Sequence, residues 1–483
     1  MTMKVLMASP EVAPFAKTGG LADVVGALPR ALADNGLEAC VVMPLHRVVK
    51  QANYKLEKLD HTLSLKIGDK TISIAVHVGQ LPNSDVPVYF LEMDHYFDRE
   101  FLYGTPNGDY KDNCERFIVF SLGVLELVKS ANLQVDVIHC HDWQAALIPL
   151  YMKTIYRQMA EGMKSVLTIH NLDYQGTFWH WDMPLTGLDW KHFNWKELEF
   201  YGKLNFLKGG LVYADAITTV SKGYAREIQT REFGCGLEGV IQERNSRLTG
   251  IVNGIDYETW NPATDRLIPA RFTPANLAGK EKCKAALQKQ SRLTVDKRIP
   301  LIGFIGRLAG QKGVDLVASC IERLADREVQ FVILGAGEAK FQEMLAAIRD
   351  KHPDKVSLNL AFNENLAHLI EAGSDMFLMP SRYEPCGLNQ LYSLKYGTLP
   401  IVRETGGLAD TVVDSNPETL KYGTASGFVF RDYDVEQCLK TIERALALYA
   451  DRKKWTALMK RAMKQDWSWK RSAKEYIDLY CRL

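Results

Sequence analysis

The sequence predicts an α/β protein with two large domains, each built on a parallel β-sheet. The chain of 483 residues is too long for a single hydrophobic core. Short apolar runs alternate with helix-compatible stretches along its length, which is typical of parallel sheets covered by helices. In addition, residues 18–23 recur letter for letter as residues 405–410. Each copy follows a short apolar run and opens an apolar stretch, so each half is expected to contain a similar strand–turn–helix unit.

In the first half, strands are expected near residues 5–8, 39–43, 88–91, 135–139, 166–169 and 216–220. Residues 62–88 alternate between polar and apolar side chains, which predicts an antiparallel hairpin added to the first sheet. In the second half, strands are expected near residues 248–252, 300–305, 329–334, 356–361, 376–379 and 399–402. We place the boundary at Arg247, so that the domains are residues 1–247 and 248–465. A last helix occupies residues 466–483.

The composition limits the class of ligand. Lys and Arg together number 59 and Asp and Glu 58, so no net field favours nucleic acid or an acidic membrane surface. The nine cysteines are scattered and form no Cys-x-x-Cys pair, which argues against a disulfide framework and a structural zinc site. No signal-like run or membrane-length apolar segment is present in the sequence. We expect a cytoplasmic protein whose ligand is neutral or a small anion.

The repeated hexapeptide indicates where an anion is held. Paired glycines at a helix start let the backbone approach a ligand closely, and the N–H groups there favour an anion. Lys17 flanks the first copy, and Arg403 and Glu404 flank the second. Two such turns suggest a shared, negatively charged ligand, although paired glycines also simply cap loops.

A glycine-rich loop, residues 306–313, follows the strand expected at residues 300–305 and carries Arg307 and Lys312. Ligands bind at the carboxyl ends of strands in open α/β sheets, and this pair of cations suits a diphosphate. A solvated charged loop is the alternative. Glu384 also follows a strand, in a turn set by Pro385 and Gly387. It is either a ligand of sugar hydroxyls or only a charge near a helix start.

His139, His141, Asp142, His170 and Asn171 lie at the ends of two expected strands. The set lacks a third ligand at metal-site spacing, so hydrogen bonding to a sugar by His170, Asn171 and Asp142 is preferred to a metal. Residues 178–195 contain four of the nine tryptophans. Exposed rings would stack on sugars and buried rings would only pack, and both interpretations stay open.

Taken together, these motifs resemble those of the bacterial glycogen synthase and plant starch synthase family over essentially the whole chain. The resemblance rests on residues 17–23, 141–143, 170–171, 253–254, 307–313, 384–388 and 405–408. It implies a glycosyltransferase of the B-type fold, in which two Rossmann-like domains face a deep cleft. It also implies that the last helix crosses back onto the first domain, which binds the acceptor, while the second binds the sugar nucleotide.

The same resemblance implies the roles of individual residues. Arg307 and Lys312 bind the diphosphate, Glu384 and His170 act beside them on the glucose, and Phe362 lies against the adenine. The remaining residues expected to bind substrate are Lys17, Gly19, Gly20, Asp23, Asp142, Asn171, Asn253, Cys386, Gly387, Leu388, Thr405 and Gly406. The wider superfamily of retaining transferases often carries a second Glu eight positions after the first, where this chain has Tyr392. Closer relatives share this difference.

The implied reaction transfers glucose from ADP-glucose to the 4-hydroxyl of an α-1,4-glucan such as glycogen, with retention and without a metal or other cofactor. A front-face reaction asks the protein mainly for electrostatic stabilisation of the departing ADP. The alternatives are a sugar-nucleotide 2-epimerase, a pyridoxal-phosphate-dependent glycogen phosphorylase and a non-enzymatic glucan-binding protein. The epimerase needs no acceptor groove, the phosphorylase is far longer, and the binding protein leaves both anion turns without a role.

Overall fold

In the computed structural model, which describes residues 2–105 and 107–483, strands and helices alternate as predicted. Contacts divide the chain into two compact units, Met1–Gly254 together with Trp469–Leu483, and Ile255–Ser468. In the described residues, no helix combines the length and the apolar character needed to cross a membrane.

The strands are β1 (Lys4–Ala8), β2 (Glu38–Pro44), β3 (Glu57–Ile67), β4 (Lys70–Gln80), β5 (Pro87–Glu92), β6 (Gly104–Thr105), β7 (Gly108–Asp109), β8 (Val137–His141), β9 (Lys164–Ile169), β10 (Thr177–Trp179), β11 (Glu199–Phe200), β12 (Lys203–Asn205), β13 (Ala216–Thr219), β14 (Leu248–Gly250), β15 (Leu301–Ile305), β16 (Gln330–Leu334), β17 (Val356–Asn359), β18 (Met376–Met379), β19 (Leu399–Arg403) and β20 (Phe428–Phe430).

The helices are α1 (Gly20–Ala33), α2 (Arg47–Gln51), α3 (Asp94–Phe97), α4 (Asn113–Ser130), α5 (Leu147–Lys153), α6 (Phe206–Tyr213), α7 (Lys222–Glu227), α8 (Glu238–Glu243), α9 (Ala278–Gln290), α10 (Val314–Arg323), α11 (Ala339–Lys351), α12 (Glu364–Gly373), α13 (Asn389–Tyr396), α14 (Gly406–Thr411), α15 (Pro417–Tyr422), α16 (Val435–Ala450), α17 (Arg452–Ala462) and α18 (Trp469–Tyr480).

The first unit is built on a nine-stranded sheet of order β14-β13-β9-β8-β1-β2-β5-β4-β3. The strands from β14 to β5 in this order pair in parallel, while β4 is antiparallel to both β5 and β3. The predicted hairpin is therefore confirmed as β3 and β4. Strand β8 begins two residues later than expected and runs to His141, so His139 and His141 both lie within the strand.

The second unit is built on a six-stranded parallel sheet of order β17-β16-β15-β18-β19-β20. The five strands predicted between residues 300 and 402 are present, although β17 ends at Asn359 rather than at residue 361. The sequence did not predict β20, because only three residues form it. It also missed the short strands β6 and β7 and the small sheet β10-β12-β11.

Strand β14 lies in a different sheet from the one expected. The sequence placed residues 248–252 at the start of the second half, but β14 pairs in parallel with β13 of the first sheet. Gly250 permits this position, because a Cβ atom there would lie 2.2 Å from the backbone oxygen of Ser221. Ile251, which follows, is fully buried in the core of the first unit.

The core of the first unit joins its first and last helices. Helix α1 buries Leu21, Val24, Val25, Leu28 and Leu32, which follow the spacing of one helical face. Helix α18 adds a second apolar stripe to the same cluster. The members of that stripe are Trp469, Ala473, Tyr476, Leu479 and Tyr480. A separate cluster forms the core of the second unit.

Candidate active site

The first Gly-Gly turn lies between β1 and α1 and is held by a carboxylate of the chain itself. The N–H groups of Thr18 and Gly19 donate to Glu11 Oε2, at 2.5 and 3.3 Å. The hydroxyl groups of Thr18 and Tyr103 donate to Oε1 of the same carboxylate, both at 2.6 Å. Glu11 thus occupies the anion-binding position of this turn. Binding of an external ligand by Gly19 and Gly20 stays a prediction, with Glu11 competing for the nearest N–H groups.

Two predicted residues come together just beside this turn. Lys17 Nζ lies 2.6 Å from Asp23 Oδ1, and the lysine side chain is about half exposed. Because Asp23 lies in the first turn of α1, the ion pair holds the Lys17 ammonium group against the helix start. The turn therefore presents a cation at the surface while its backbone binds an internal anion.

The residues His139, His141, Asp142, His170 and Asn171 lie at the adjacent carboxyl ends of β8 and β9. His141 and Thr168 are partners in the parallel pairing, so the residues that follow each strand are neighbours. Asp142 adopts a left-handed backbone conformation with φ of 56°, and its Oδ1 accepts the N–H of His170 at 2.7 Å. His141 Nδ1 lies 3.0 Å from His170 Nε2. His139 and His141 stack at 4.3 Å, so they share one face of the strand as expected.

Burial sets the charge of these groups. Desolvation lowers the pKa of His170 to about 3, so its imidazole is neutral at neutral pH. Desolvation raises the pKa of Asp142 to about 7, against the effect of the N–H groups of His170 and Asn171, and the Glu11 carboxylate adds to the increase. A neutral imidazole next to a carboxyl group that titrates near pH 7 is suited to hydrogen bonding with hydroxyl groups. Among the described residues, no three His, Cys, Asp or Glu side chains are grouped to hold a metal ion.

In the second unit, the loop after β15 carries Arg307 and Lys312, whose binding of a diphosphate stays a prediction. Arg307 Nη2 donates to Gln311 Oε1 at 3.1 Å within the loop. Gly313 has φ of 71°, and a Cβ atom there would lie 2.1 Å from the backbone oxygen of Pro380. Only glycine fits, and the loop consequently packs against the residues that follow β18.

This packing brings Lys312 and Glu384 together. Lys312 Nζ lies 2.6 Å from Glu384 Oε2, and the Ser381 hydroxyl donates to the same oxygen at 3.0 Å. The carboxylate side chain is only 7 % exposed and the lysine side chain 25 %. The pair lies at the carboxyl ends of parallel strands, and Glu384 is five residues before α13 begins. The role of Glu384 as a ligand of sugar hydroxyls stays a prediction.

The second Gly-Gly turn packs directly on the Glu384 segment. The N–H of Gly407 donates to the backbone oxygen of Glu384 at 3.0 Å. A Cβ atom at Gly406 would lie 2.0 Å from that oxygen, and one at Gly407 would lie 2.1 Å from the backbone oxygen of Cys386. The glycines are therefore needed for close backbone contact. Gly387 also requires glycine, since its φ is 73°.

The other predicted residues lie in varied surroundings. Phe362 is 89 % exposed, in the turn between β17 and α12. Asn253 is buried in the first unit, and its Oδ1 has no hydrogen-bond partner in the described part of the chain. Leu388 precedes α13. Thr405 is buried next to Gly406. Asn171 accepts the N–H of Asp173 at 3.1 Å.

The four tryptophans of residues 178–195 do not pack in a core. Trp179, Trp181, Trp190 and Trp195 are 63, 59, 45 and 72 % exposed. The packing alternative is therefore wrong for these side chains.

Sequence reasoning missed three polar residues of the site. Glu11 and Tyr103 hold the first turn, and Ser381 holds Glu384. Glu11 is the one charged residue among residues 5–16, which are otherwise apolar except for Ser9, and this was the available signal for it. Tyr103 and Ser381 gave no signal, because their partners lie 92 and 3 residues away without a recognisable spacing pattern.

The comparisons with known proteins agree with this architecture. The model of the starch synthase catalytic domain matches residues 4–243, and the model of glycosyl transferases group 1 matches residues 287–461. The catalytic domain of starch synthase IV from Arabidopsis thaliana, described as bound to ADP and acarbose, is 36 % identical with a TM-score of 0.91. The alignment covers 100 % of this chain and 99 % of that one. Sucrose-phosphate synthase from Thermosynechococcus elongatus shares the fold, with a TM-score of 0.60 at 16 % identity over 99 % of this chain and 98 % of that one.

Two parallel-sheet units with charged loops at their strand ends define a glycosyltransferase of the B-type fold. Similar sequences specify the family further. Glycogen synthase from Koribacter versatilis is 47 % identical over 480 residues, covering 99 % of this chain and 98 % of that protein. Glycogen synthase from Thermosipho melanesiensis is 47 % identical over 481 residues, with the same coverage. The chain belongs to the glycogen and starch synthase family.

Proposed function

We propose that this enzyme transfers glucose from ADP-glucose to the 4-hydroxyl at the non-reducing end of an α-1,4-glucan, with retention of configuration and release of ADP. The observation that carries the proposal is the Lys312–Glu384 pair at the carboxyl ends of the second sheet, with Lys312 on the same loop as Arg307. The 36 % identical starch synthase described as bound to ADP and acarbose supports a nucleotide donor and a glucan acceptor.

We assign the donor to the second unit. Arg307 and Lys312 would bind the diphosphate oxygens, helped by the backbone of Thr405 and Gly406. Phe362, being exposed, has a ring face available for the adenine. The glucose would meet Glu384 and the backbone of residues 386–388. The Lys312 ammonium group has three N–H donors, and its bond to Glu384 uses one of them, so it can bind a phosphate oxygen as well. Ser381 also holds the Glu384 carboxylate.

We assign the acceptor to the first unit. Asp142, Asn171 and the neutral His170 would bind sugar hydroxyls at the ends of β8 and β9. Lys17, held by Asp23 at the start of α1, would contact the sugar nucleotide, together with Gly19 and Gly20. Asn253 offers an oxygen that has no hydrogen-bond partner among the described residues of the first unit. The predicted cytoplasmic location stays a prediction.

The front-face reaction makes modest chemical demands on these residues. The bond from glucose C1 to the diphosphate oxygen breaks, and the acceptor 4-oxygen bonds to C1 on the same face. The proton of the 4-hydroxyl passes to the departing phosphate oxygen. Negative charge grows on the diphosphate during this step, so Arg307 and Lys312 stabilise the transition state more than the bound donor.

One assay tests the proposal. The purified chain is incubated with glycogen and radiolabelled ADP-glucose, with UDP-glucose in parallel, and label is counted in the precipitated polymer. We expect incorporation from ADP-glucose, releasable as maltose by β-amylase, and little from UDP-glucose. A mock purification from cells that do not express the chain is the control for contaminating activity. Label that appears only in free sugar without added glucan would contradict the proposal in favour of an epimerase.

The electrostatic role of the two cations also predicts that no metal is required. Arg307 and Lys312 would supply the positive charge that a divalent cation supplies in other transferases. Transfer in excess chelator should therefore proceed at the rate measured without it. A loss of activity that magnesium or manganese restores would overturn this assignment.

A further inference from the structure

An exposed aromatic surface lies on the segment between β9 and α6. Residues 177–205 form the small sheet β10-β12-β11 and two separate 3-10 helices, His180–Thr186 and Trp190–His192. The segment has a packed base, in which Met183, Leu198 and Leu204 are fully buried. Phe178 packs at 4.7 Å from Phe206, the first residue of α6. The fold therefore holds the segment firmly while its outer face stays exposed.

The outer face carries five neighbouring rings, which we call the tryptophan face. Its members are Trp179, His180, Trp181, Trp190 and Phe193. The His180 ring lies 5.8 Å from Trp179 and 5.3 Å from Trp181. Trp190 meets Trp181 and Phe193 edge-to-face, at 5.7 and 5.8 Å. Rings that brace one another lose little freedom when a ligand arrives, which favours binding.

The chemistry of this face fits a neutral sugar polymer. Exposed indole rings offer flat apolar surfaces for the C–H faces of sugars, and the His180 imidazole and the indole N–H groups can bond hydroxyls. Charge does not favour an anionic partner. Residues 177–205 contain four acidic side chains, Asp182, Asp189, Glu197 and Glu199, against three basic ones, Lys191, Lys196 and Lys203, a net charge of −1. A membrane surface or a nucleic acid would require an excess of cations.

We propose that the tryptophan face binds α-1,4-glucan at a site additional to the one where transfer occurs. None of the residues assigned to the donor or to the reacting end of the acceptor belongs to this face. The packed base of the segment contacts the region just after β8, because the Phe178 ring lies 5.6 Å from Trp143, the residue after Asp142. A polymer held on the face would thus stay attached to the unit that binds the acceptor end, which raises its local concentration. This inference rests on the proposed function.

The test uses β-cyclodextrin, an α-1,4-glucan ring that lacks a non-reducing end and cannot serve as an acceptor. Binding of β-cyclodextrin and retardation in glycogen-containing native gels are measured for the wild type and for the W179A/W181A/W190A variant. We expect the alanine variant to bind about tenfold more weakly or worse, because it loses its ring stacks. The W179F/W181F/W190F variant, which keeps ring faces, should retain most of the binding. Tyr422→Ala, which removes another exposed ring in the second unit, should bind normally.

Kinetics show whether the variants remain folded and competent. With maltotriose as acceptor, the alanine variant should match the wild type in kcat and KM, while its KM for glycogen should rise about tenfold. Wild-type binding of both glucans that survives the alanine substitutions would overturn the inference. So would a wild-type chain that binds neither glucan, or one that binds only anionic phospholipid vesicles. If the chain transfers no glucose but its retardation by glycogen requires the rings, the inference holds and the proposed function fails.

Discussion

Lys312 and Glu384 share one hydrogen-bonded ion pair, yet their chemical roles differ. The ammonium group would meet phosphate oxygens, and the carboxylate would meet the glucose. Ser381 donates to the same carboxylate oxygen, so Glu384 has a hydrogen-bond partner besides Lys312. The two side chains should therefore be separable by kinetics.

Lys312→Ala should lower kcat about 100-fold or more, because the lost cation stabilises charge that grows in the transition state. Glu384→Gln keeps the shape of the side chain and removes its charge, so kcat should fall while ADP affinity barely changes. Steady-state transfer and ADP titration measure the two effects. Lys454→Ala, which removes an exposed lysine on α17, is the matched control. A Glu384→Gln variant with wild-type turnover would show that the carboxylate has no part in the reaction.

Glu11 accounts for the shape of the first Gly-Gly turn, since it accepts four donors from Thr18, Gly19 and Tyr103. Glu11→Gln replaces one acceptor oxygen with an amide N–H₂ group that must face donors. The turn that carries Lys17 should loosen, raising the KM for ADP-glucose about tenfold, the equivalent of one lost charged hydrogen bond.

Tyr103→Phe removes only one of the four donors and serves as the graded control, with a smaller rise in the same KM. Thermal unfolding of both variants separates a loosened turn from global destabilisation. Equal KM values for Glu11→Gln and the wild type would contradict the proposed role of this turn in donor binding.

At the scale of elements, α18 completes the core of the first unit rather than forming a loose tail. Tyr480 makes a 2.7 Å hydrogen bond to Nδ1 of His139 in β8, which links the last helix to a central strand. His139 also contacts Thr168 of β9 through Nε2 at 2.5 Å. The C-terminal helix thereby supports the strand ends where Asp142 and His170 lie.

Tyr480→Phe should destabilise the protein by about 1–3 kcal/mol, because it leaves a buried imidazole nitrogen without its partner. Chemical denaturation of the variant and the wild type measures the difference. Lys474→Ala, on the exposed side of the same helix, should change stability little. A Tyr480→Phe variant as stable as the wild type would show that the buried nitrogen finds another partner.

At the scale of the whole molecule, buried histidines couple stability to pH. Burial lowers the pKa of His139 and His170 to about 3 and that of His46 to about 4. The pKa of each histidine in the folded protein lies below the unfolded value of 6.5. The contribution of these histidines to the free energy of unfolding is therefore complete above pH 6.5. It is lost as the pH falls towards the pKa values of the folded protein. Asp142 acts oppositely, because its folded pKa of about 7 lies above its unfolded value of 3.8.

We therefore expect the free energy of unfolding to fall between pH 6.5 and pH 4, by as much as about 2 kcal/mol per buried histidine at pH 5. His139→Gln should make this fall less steep, because it removes a group that takes up a proton more readily in the unfolded protein. Asp142→Asn should make the fall steeper, because it removes a group that takes up a proton more readily in the folded protein. Denaturation curves at pH 7 and pH 5 measure both. Identical pH dependence in all three proteins would contradict the assignment of these groups.

The sequence by itself determined most strands of the two sheets and the strand-end positions of most charged candidate residues. Strands such as β1, β15 and β18 are short apolar runs bounded by turn residues, and this pattern is local. Parallel strands align their carboxyl ends, so Arg307, Glu384 and His170 could be assigned to strand ends without coordinates. Helix α1 was likewise predicted from its own apolar spacing.

Only the tertiary structure decided which groups meet across long separations in the chain. It paired Lys312 with Glu384 and placed Glu11 in the Gly-Gly turn. It also placed β14 in the first sheet and left four tryptophans exposed. None of these outcomes follows from the local sequence pattern. An ion pair, the pairing of an edge strand and the exposure of a ring all depend on residues that are distant in the sequence but close in the fold. Apolar periodicity specifies that a face is buried, but packing selects its partner.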